Sequence, residues 1–427
     1  MQSTFCGVTY RVTHGAFFGG NDMDRRKFLL AGAGAVGAGL VLRGGAAKAA
    51  GVKKYDKGAS DAEIRLGQTL PYSGAGSVYG AVGLAQAAYF DELNEKGGVN
   101  GRKIRFISLD DAYSAPKTVE ATRRLVEQEE VLGLFGSLGT ATQAAVQRYL
   151  NSKKIPQLLL NAGAPRWNDP KNFPYTTPGI PVYSIEGRIL ANYVAARKPG
   201  AKIATLYQND EFGRDYVKAF REGLGDRGAI VAEAHYDLTD ATVDSQMLKL
   251  VQSGADIFYN CASAKAASQS IRKAHELGWK AEQVLISTST SAAILNAAGK
   301  AAAQGIVAAH YVKQIGSKTW ENDPGVVAWQ ALRAKRLPNI TPDNSTAFLG
   351  YGVAVLMHQI LERCGDELTH ENLLRQATNL QGLTTPALLP GISYATQPTD
   401  YSPFNALIMG KYTDGDWVLG DKVTAAG

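Results

Sequence analysis

The residue types that could carry chemistry in this chain are few, and most stand at the wrong spacing. Gly32, Gly34 and Gly37 spell G-x-G-x-x-G behind an apolar run, and Asp56 lies downstream where the ribose-binding acid of a dinucleotide fold would stand. That fingerprint needs a second strand ending at the acid, inside one unit of roughly 30 residues. The chain instead reads "GGAAKAAGVKKYDKG", which is small, polar and basic. The six histidines (His14, His235, His275, His310, His358, His370) show no H-E-x-x-H spacing, and neither G-x-S-x-G nor G-x-x-x-x-G-K-[ST] occurs. Ser270 to Lys273 matches S-x-x-K without its companion motifs, and Asp110-Asp111 reads as a turn or cap at a strand end. Catalysis is therefore unsupported, and no cofactor or metal is expected. Cys6, Cys261 and Cys364 lack zinc spacing and read as small buried residues. A Cys261 to Cys364 disulfide stays open if the protein is exported.

Binding chemistry is better represented. "GSLGTAT", Gly136 to Thr142, joins a strand-like run to a helix-like one. It places the hydroxyls of Ser137, Thr140 and Thr142 and the backbone N–H groups around Gly139 at a helix N-terminus, where a carboxylate is favoured. Plain capping by Thr140 is the alternative, and both can hold.

These residues need a scaffold, and the composition allows one. The 427 residues are 45% hydrophobic and 20% charged, enough mass for two domains. Residues 1–49 hold six basic groups against two acids, which leaves 39 basic and 37 acidic residues, a net +2, from position 50 onward. So near-neutral a chain gives no electrostatic case for nucleic acid.

Within residues 1–49, Arg25-Arg26-Lys27, the Gly/Ala-rich run Phe28 to Leu42 and Ala47-Lys48-Ala49 follow the order of an export signal. Adjacent arginines before Phe28-Leu29-Leu30 resemble a twin-arginine signal, which predicts a periplasmic protein. Met23 just before them offers a second start codon.

A polar linker is expected over 50–61. Strand-like and helix-like runs then alternate: Ile64 to Leu70, "GAVGLAQAAYFDELNEKGG", "KIRFISLDD", "APKTVEATRRLVEQEE", "VLGLFGS", Thr142 to Asn151 and "IPQLLLN". The rhythm breaks over 165–183, too punctuated by proline for regular structure, and restarts with "AKIATLYQND", "GAIVAEAHYD", "ADIFYNCA", "QVLISTS" and "GIVAAHYV". Helices are expected near 213–226, 242–253, 264–277 and 291–299. "STAFLGYGVAVLMHQILERCG" and 370–380 read as helices, and "NALIMGKYTDGDWVLG" as a hairpin turning at Asp414-Gly415. Such alternation implies an α/β fold of two Rossmann-like lobes with parallel sheets and a cleft between them.

In this order and spacing "LPYSGAGSVYG", "NEKGGVNGRKI", "DDAYSAPKTV", "LFGSLGTATQAAV", "NDEFGRDY" and "QGIVAAHYV" resemble the branched-chain amino-acid type (type I) of periplasmic solute-binding protein, the receptor subunit of an ABC importer. The resemblance covers nearly all of residues 62–427. It implies two lobes joined by three hinge crossings: 62–182 in lobe 1, 183–312 in lobe 2, 313–398 returning to the first and 399–427 to the second. It implies a ligand site at Ser137, Leu138, Gly139 and Thr140, at Asn161, Ala162 and Gly163, and at the aromatic walls Tyr79 and Phe212, which could equally be core. Pro165 stands where amino-acid binders of the family usually carry a hydroxyl. Their ammonium-holding tyrosine and glutamate are replaced, in an ungapped reading, by Ser263 and Ser289. A desolvated ammonium would then lack its carboxylate, so the expected ligand is a small aromatic or aliphatic carboxylate without an α-amino group, or a small neutral polar compound. Arg166 is expected either to meet a second acid group or to be solvated beside Trp167. Expected partners are the small-molecule ligand and the importer's permease subunits, with the receptor itself a monomer. A sensory subunit shares the fold. An exported NAD-dependent oxidoreductase would need a glycine fingerprint in the mature chain, and "SGAGSVYG" has the wrong spacing.

Overall fold

A computed structural model describes residues 53–425. The export signal, the second start codon and Cys6 lie outside the described residues. The chain enters through β1 (Lys54–Tyr55). It then builds β2 (Glu63–Leu70), α1 (Ala81–Glu95), β3 (Lys103–Asp110), α2 (Ala115–Glu127), β4 (Gly133–Phe135), α3 (Thr140–Lys153), β5 (Gln157–Leu160) and β6 (Thr176–Pro178). Strands β2 to β6 form a five-stranded, all-parallel sheet in the order β3-β2-β4-β5-β6. Apolar runs such as "GLF" and "QLLL" lie inside it because both faces are covered by helices.

The second lobe opens with α4 (Tyr183–Arg197). It continues through β7 (Ala201–Gln208), α5 (Glu211–Leu224), β8 (Gly228–Tyr236), α6 (Asp244–Val251), β9 (Ile257–Cys261), α7 (Ala264–Glu276), β10 (Glu282–Leu285), α8 (Ala292–Ala298), α9 (Lys300–Ala303) and β11 (Val307–His310). The chain then returns to the first lobe as α10 (Pro324–Arg336), α11 (Ser345–Cys364), β12 (Glu367–Leu368) and α12 (His370–Ala377), with α11 and α10 lying on α1. Gly350 makes that packing possible, since a Cβ there would sit 2.4 Å from the Val82 carbonyl oxygen. The hairpin β13 (Ala406–Thr413) and β14 (Asp416–Ala425) crosses back and completes a seven-stranded sheet, β14-β13-β11-β10-β9-β7-β8, antiparallel only at the hairpin end. Asp414 (φ 54°) and Gly415 (φ 87°) make its turn, both left-handed as a tight hairpin of this twist requires.

Several expectations are corrected. The stretch expected as a linker is fastened at Lys54–Tyr55, which pairs in parallel with Glu367–Leu368, while Asp56 accepts from the His370 N–H at 2.8 Å. Arg102, 3% exposed, binds both the Tyr55 hydroxyl and Asp366 at 2.6 Å. The punctuated segment 165–183 contains a 3-10 turn, Pro165–Trp167, and strand β6. Helices α4 and α10 went unanticipated. The first is buried along most of its length, so it lacks the polar stripe that marks an amphipathic helix. Cys261 and Cys364 are both buried and free; burial pushes both thiols up, that of Cys364 to about 12.

Candidate functional site

Both sheets point the C-terminal ends of their parallel strands at one cavity, where open α/β sheets place ligands. Leu138 follows β4, Asn161 follows β5, Ser263 follows β9, Ser287 follows β10 and Tyr311 follows β11, and all five line it. The cavity and its open mouth together hold about 900 Å³ of atom-free space. Among the described residues its lining contains no Asp, Glu, Lys, Arg or His.

On the first-lobe side, Gly139 (φ 104°) is the N-cap of α3 and no side chain caps that helix. The first N–H groups of a 14-residue helix therefore remain free for an acceptor in the cavity, where the helix dipole favours negative charge. Thr140 does not cap. Its hydroxyl lies 3.4 Å from the Tyr183 hydroxyl, and Thr142 Oγ1 donates back to the Leu138 carbonyl at 2.8 Å. Leu138, Gly139, Thr140 and Asn161 line the cavity; Ser137, Ala162 and Gly163 do not. Ser137 Oγ accepts from the Thr69 N–H at 3.1 Å, which turns it into the sheet. Ala162 is packed in the core, and the Gly163 carbonyl accepts from Tyr183 N–H at 2.7 Å at the entry to α4.

Aromatic rings enclose the middle. Tyr79, Tyr113, Tyr183, Phe212 and Tyr311 line the cavity, and Phe212 meets Tyr183 edge-on with centroids 5.3 Å apart. Burial pushes the Tyr79 hydroxyl up to about 12 and raises those of Tyr113, Tyr183 and Tyr311 too, so all four stay neutral. Tyr79, on the first lobe, accepts from the Ala264 N–H of the second at 3.1 Å.

The second-lobe side is a hydroxyl cluster. Ser263 lines the cavity with its Oγ donated to Gln208 Oε1 at 2.7 Å and its N–H to the Tyr236 hydroxyl at 2.9 Å. Ser289 does not line it. It sits in the 3-10 turn Ser287–Ser289 and donates to the Ala262 carbonyl at 2.8 Å, leaving its neighbours Ser287, Thr288, Thr290 and Ser291 facing inward. The Oγ1 of Thr288 and the Oγ of Ser291 are buried and make no hydrogen bond within the protein. An unpaired buried hydroxyl costs roughly 1–3 kcal/mol, which a ligand can return. Thr288 and Ser291 were missed because a 3-10 turn repeats every three residues, and the motif "ISTSTS" offers hydroxyls at every register. Tyr113 lay within the quoted "DDAYSAPKTV". The return segment contributes Gln314, Ser345, Thr346 and Leu349, which no sequence signal distinguished.

Arg166 does not line the cavity; its side chain is 35% exposed and lies beside Trp167, as one of its two expected readings had it. Its Nη1 donates to Glu211 Oε2 at 2.9 Å and its Nε to Gln147 Oε1 at 3.0 Å, while its guanidinium lies 5.5 Å from the ring centre of fully buried Trp167. It thus ties the segment after β5 to the first turn of α5. Asp110 and Asp111 are turn acids, as their position suggested: Asp110 accepts from the N–H groups of Tyr72, Ser73 and Ala112, and Asp111 from that of Tyr113.

A family model described as periplasmic binding protein matches residues 63–415. The chain is 26% identical over 237 residues to Leu/Ile/Val-binding protein homolog 7 of Brucella abortus, an alignment that spans 53% of this chain and 59% of that relative. It superposes with a TM-score of 0.75 on a branched-chain amino-acid ABC transporter protein from Thermus thermophilus with bound valine, at 18% identity, covering 85% of this chain and 97% of that one. A solute-binding protein of an ABC transporter from R. palustris, in complex with benzoate, gives 0.70 at 19% identity, covering 85% and 96%.

Proposed function

The chain belongs to the periplasmic binding protein family, and from that membership we propose that it is a receptor that captures a small carboxylate lacking an α-amino group and hands it to an ABC importer. The observation that carries this reading is the cavity itself: an uncapped helix N-terminus on one side, neutral aromatics in the middle, hydroxyls opposite, and no charged side chain in the lining among the described residues. Helix N–H groups can seat a carboxylate. A desolvated ammonium would find no carboxylate in contact with it. Among the structural relatives, one holds valine and another benzoate, so the architecture accommodates both amine-bearing and amine-free acids.

Export to the periplasm through the twin-arginine pathway belongs to the same proposal, as does a monomeric receptor. Residues Tyr79, Leu138, Gly139, Thr140, Asn161, Phe212 and Ser263 are proposed to contact the ligand, joined by Thr288 and Ser291. Closing the two lobes around it by hinge motion would give the importer a shape to read.

A thermal-shift screen of aromatic acids, aliphatic acids, their amides and amino acids tests the reading. Acids without an α-amino group should raise the midpoint by the amount RT ln(1 + [L]/Kd) implies. Stabilisation by leucine or valine, with no response to such acids, would overturn it.

A further inference from the structure

Glu186, on α4, is 0% exposed and takes part in none of the ion pairs among the described residues. Its Oε1 accepts from the Ser287 N–H at 2.6 Å; its Oε2 accepts from the Ser287 hydroxyl at 2.7 Å and from the Tyr216 hydroxyl at 2.8 Å. Burial pushes the carboxyl up, and these three donors work against that rise. A carboxylate can only accept, so Ser287 gives it both of its hydrogens. What Ser287 keeps for the cavity is oxygen lone pairs, strengthened as an acceptor because the same hydroxyl donates to an anion. Beside it stand the unpaired hydroxyls of Thr288 and Ser291, which can donate or accept.

We infer that Glu186, without touching the ligand, sets the hydrogen-bond polarity of the second-lobe wall: it makes Ser287 Oγ an obligate acceptor and so selects carboxylates whose far end presents an uncharged O–H or N–H donor. This rests on the amine-free carboxylate reading above. The ligand then lies along a gradient, its acid group on the free N–H groups of α3 and its donor on Ser287. An ether or ester oxygen in the donor's place meets lone pairs instead.

Matched pairs of acids test the inference on purified full-length protein by calorimetry: 4-hydroxybenzoate against 4-methoxybenzoate, and 3-(4-hydroxyphenyl)propanoate against its methoxy counterpart. On the wild type the hydroxy member of at least one pair should bind about tenfold tighter. Glu186→Gln keeps the size but replaces one acceptor oxygen by an NH2 donor, freeing the Ser287 hydrogen for the cavity; the preference should fall toward one or invert. Ser287→Ala removes the wall oxygen alone and should also abolish the preference, which keeps the test sound if Glu186→Gln fails to fold by circular dichroism. Equal binding of both members to the wild type, or a preference that survives both substitutions, overturns the inference and leaves the carboxylate reading standing. Amino acids binding where no acid of the series does overturns the carboxylate reading itself.

Discussion

On its first-lobe side the cavity is walled by main chain, the free N–H groups at the start of α3 behind a left-handed Gly139; on its second-lobe side it is walled by side chains, the hydroxyls of Ser287, Thr288, Thr290 and Ser291, the first of them braced from behind by Glu186. The difference separates what the fold dictates from what the residues choose. A strand-to-helix junction offers N–H groups whatever its side chains, so an anion seat there comes with the architecture. A hydroxyl wall can be re-lettered one residue at a time without moving the backbone. Ligand choice should therefore reside on the second side and ligand capture on the first.

The sharpest way to break this division is Gly139→Val. Its Cβ would fall 2.4 Å from Thr142 Oγ1 and 2.9 Å from the Tyr113 ring, at a φ of 104° that side chains rarely adopt. We expect calorimetry to show every acid weakened about 100-fold or more, roughly 2.7 kcal/mol. A loss confined to some acids would mean that the first wall also discriminates.

Acid should trouble the second side selectively. His310 is wholly buried, burial pushes its imidazole down to about 3, and its ring stands edge-on to Trp417 with centroids 4.3 Å apart. Trp417 Nε1 in turn donates to the Thr290 carbonyl at 3.1 Å, on the hydroxyl wall. Because the folded value lies below the unfolded one, this stabilisation is complete above about pH 6.5 and is lost as pH falls toward 3, at about 1.4 kcal/mol per unit at most. Urea titrations across that window should show the slope, and His310→Phe should flatten it. An unchanged slope in the variant would assign the acid sensitivity elsewhere.

Thr288→Val and Ser291→Ala probe the wall more gently. Each should cost acids with a polar far end about five- to tenfold, near 1 kcal/mol, and leave plain aliphatic acids unchanged. Uniform losses across both classes would erase the distinction between the walls. The smallest effect is expected from the tie between the lobes: Arg166→Met removes a pair whose side chains are 35% and 36% exposed, worth about 0.2–1 kcal/mol of closure, and should weaken all ligands two- to threefold in a salt-dependent way.

The same asymmetry governs what could be read in advance. The first wall was legible because a strand, a glycine pair and a run of threonines announce a helix start, from which Gly139 and Thr140 followed, while Asn161 came only from the resemblance to the family. Ser137 was misjudged because the glycines around it, both at positive φ, turn its side chain back to Thr69. The second wall was legible in location, not in register: Ser289 was one residue from Thr288. Glu186 was invisible, since it lies in a helix buried on nearly every side, where no periodic stripe marks it, and meets Ser287 from 101 residues away. Alternating α/β rhythm survives such blindness because it depends on many residues at once. A ligand wall depends on a few.

Tyr79 carries a consequence of its own. Its hydroxyl links the lobes through the Ala264 N–H at 3.1 Å, so part of the force that holds them together is intrinsic to the protein. In the proposed receptor role, a fraction of molecules should then rest shut ahead of capture, a noise floor against which the proposed importer would count true deliveries. Tyr79→Phe would lower that floor and, by the same step, quiet the signal.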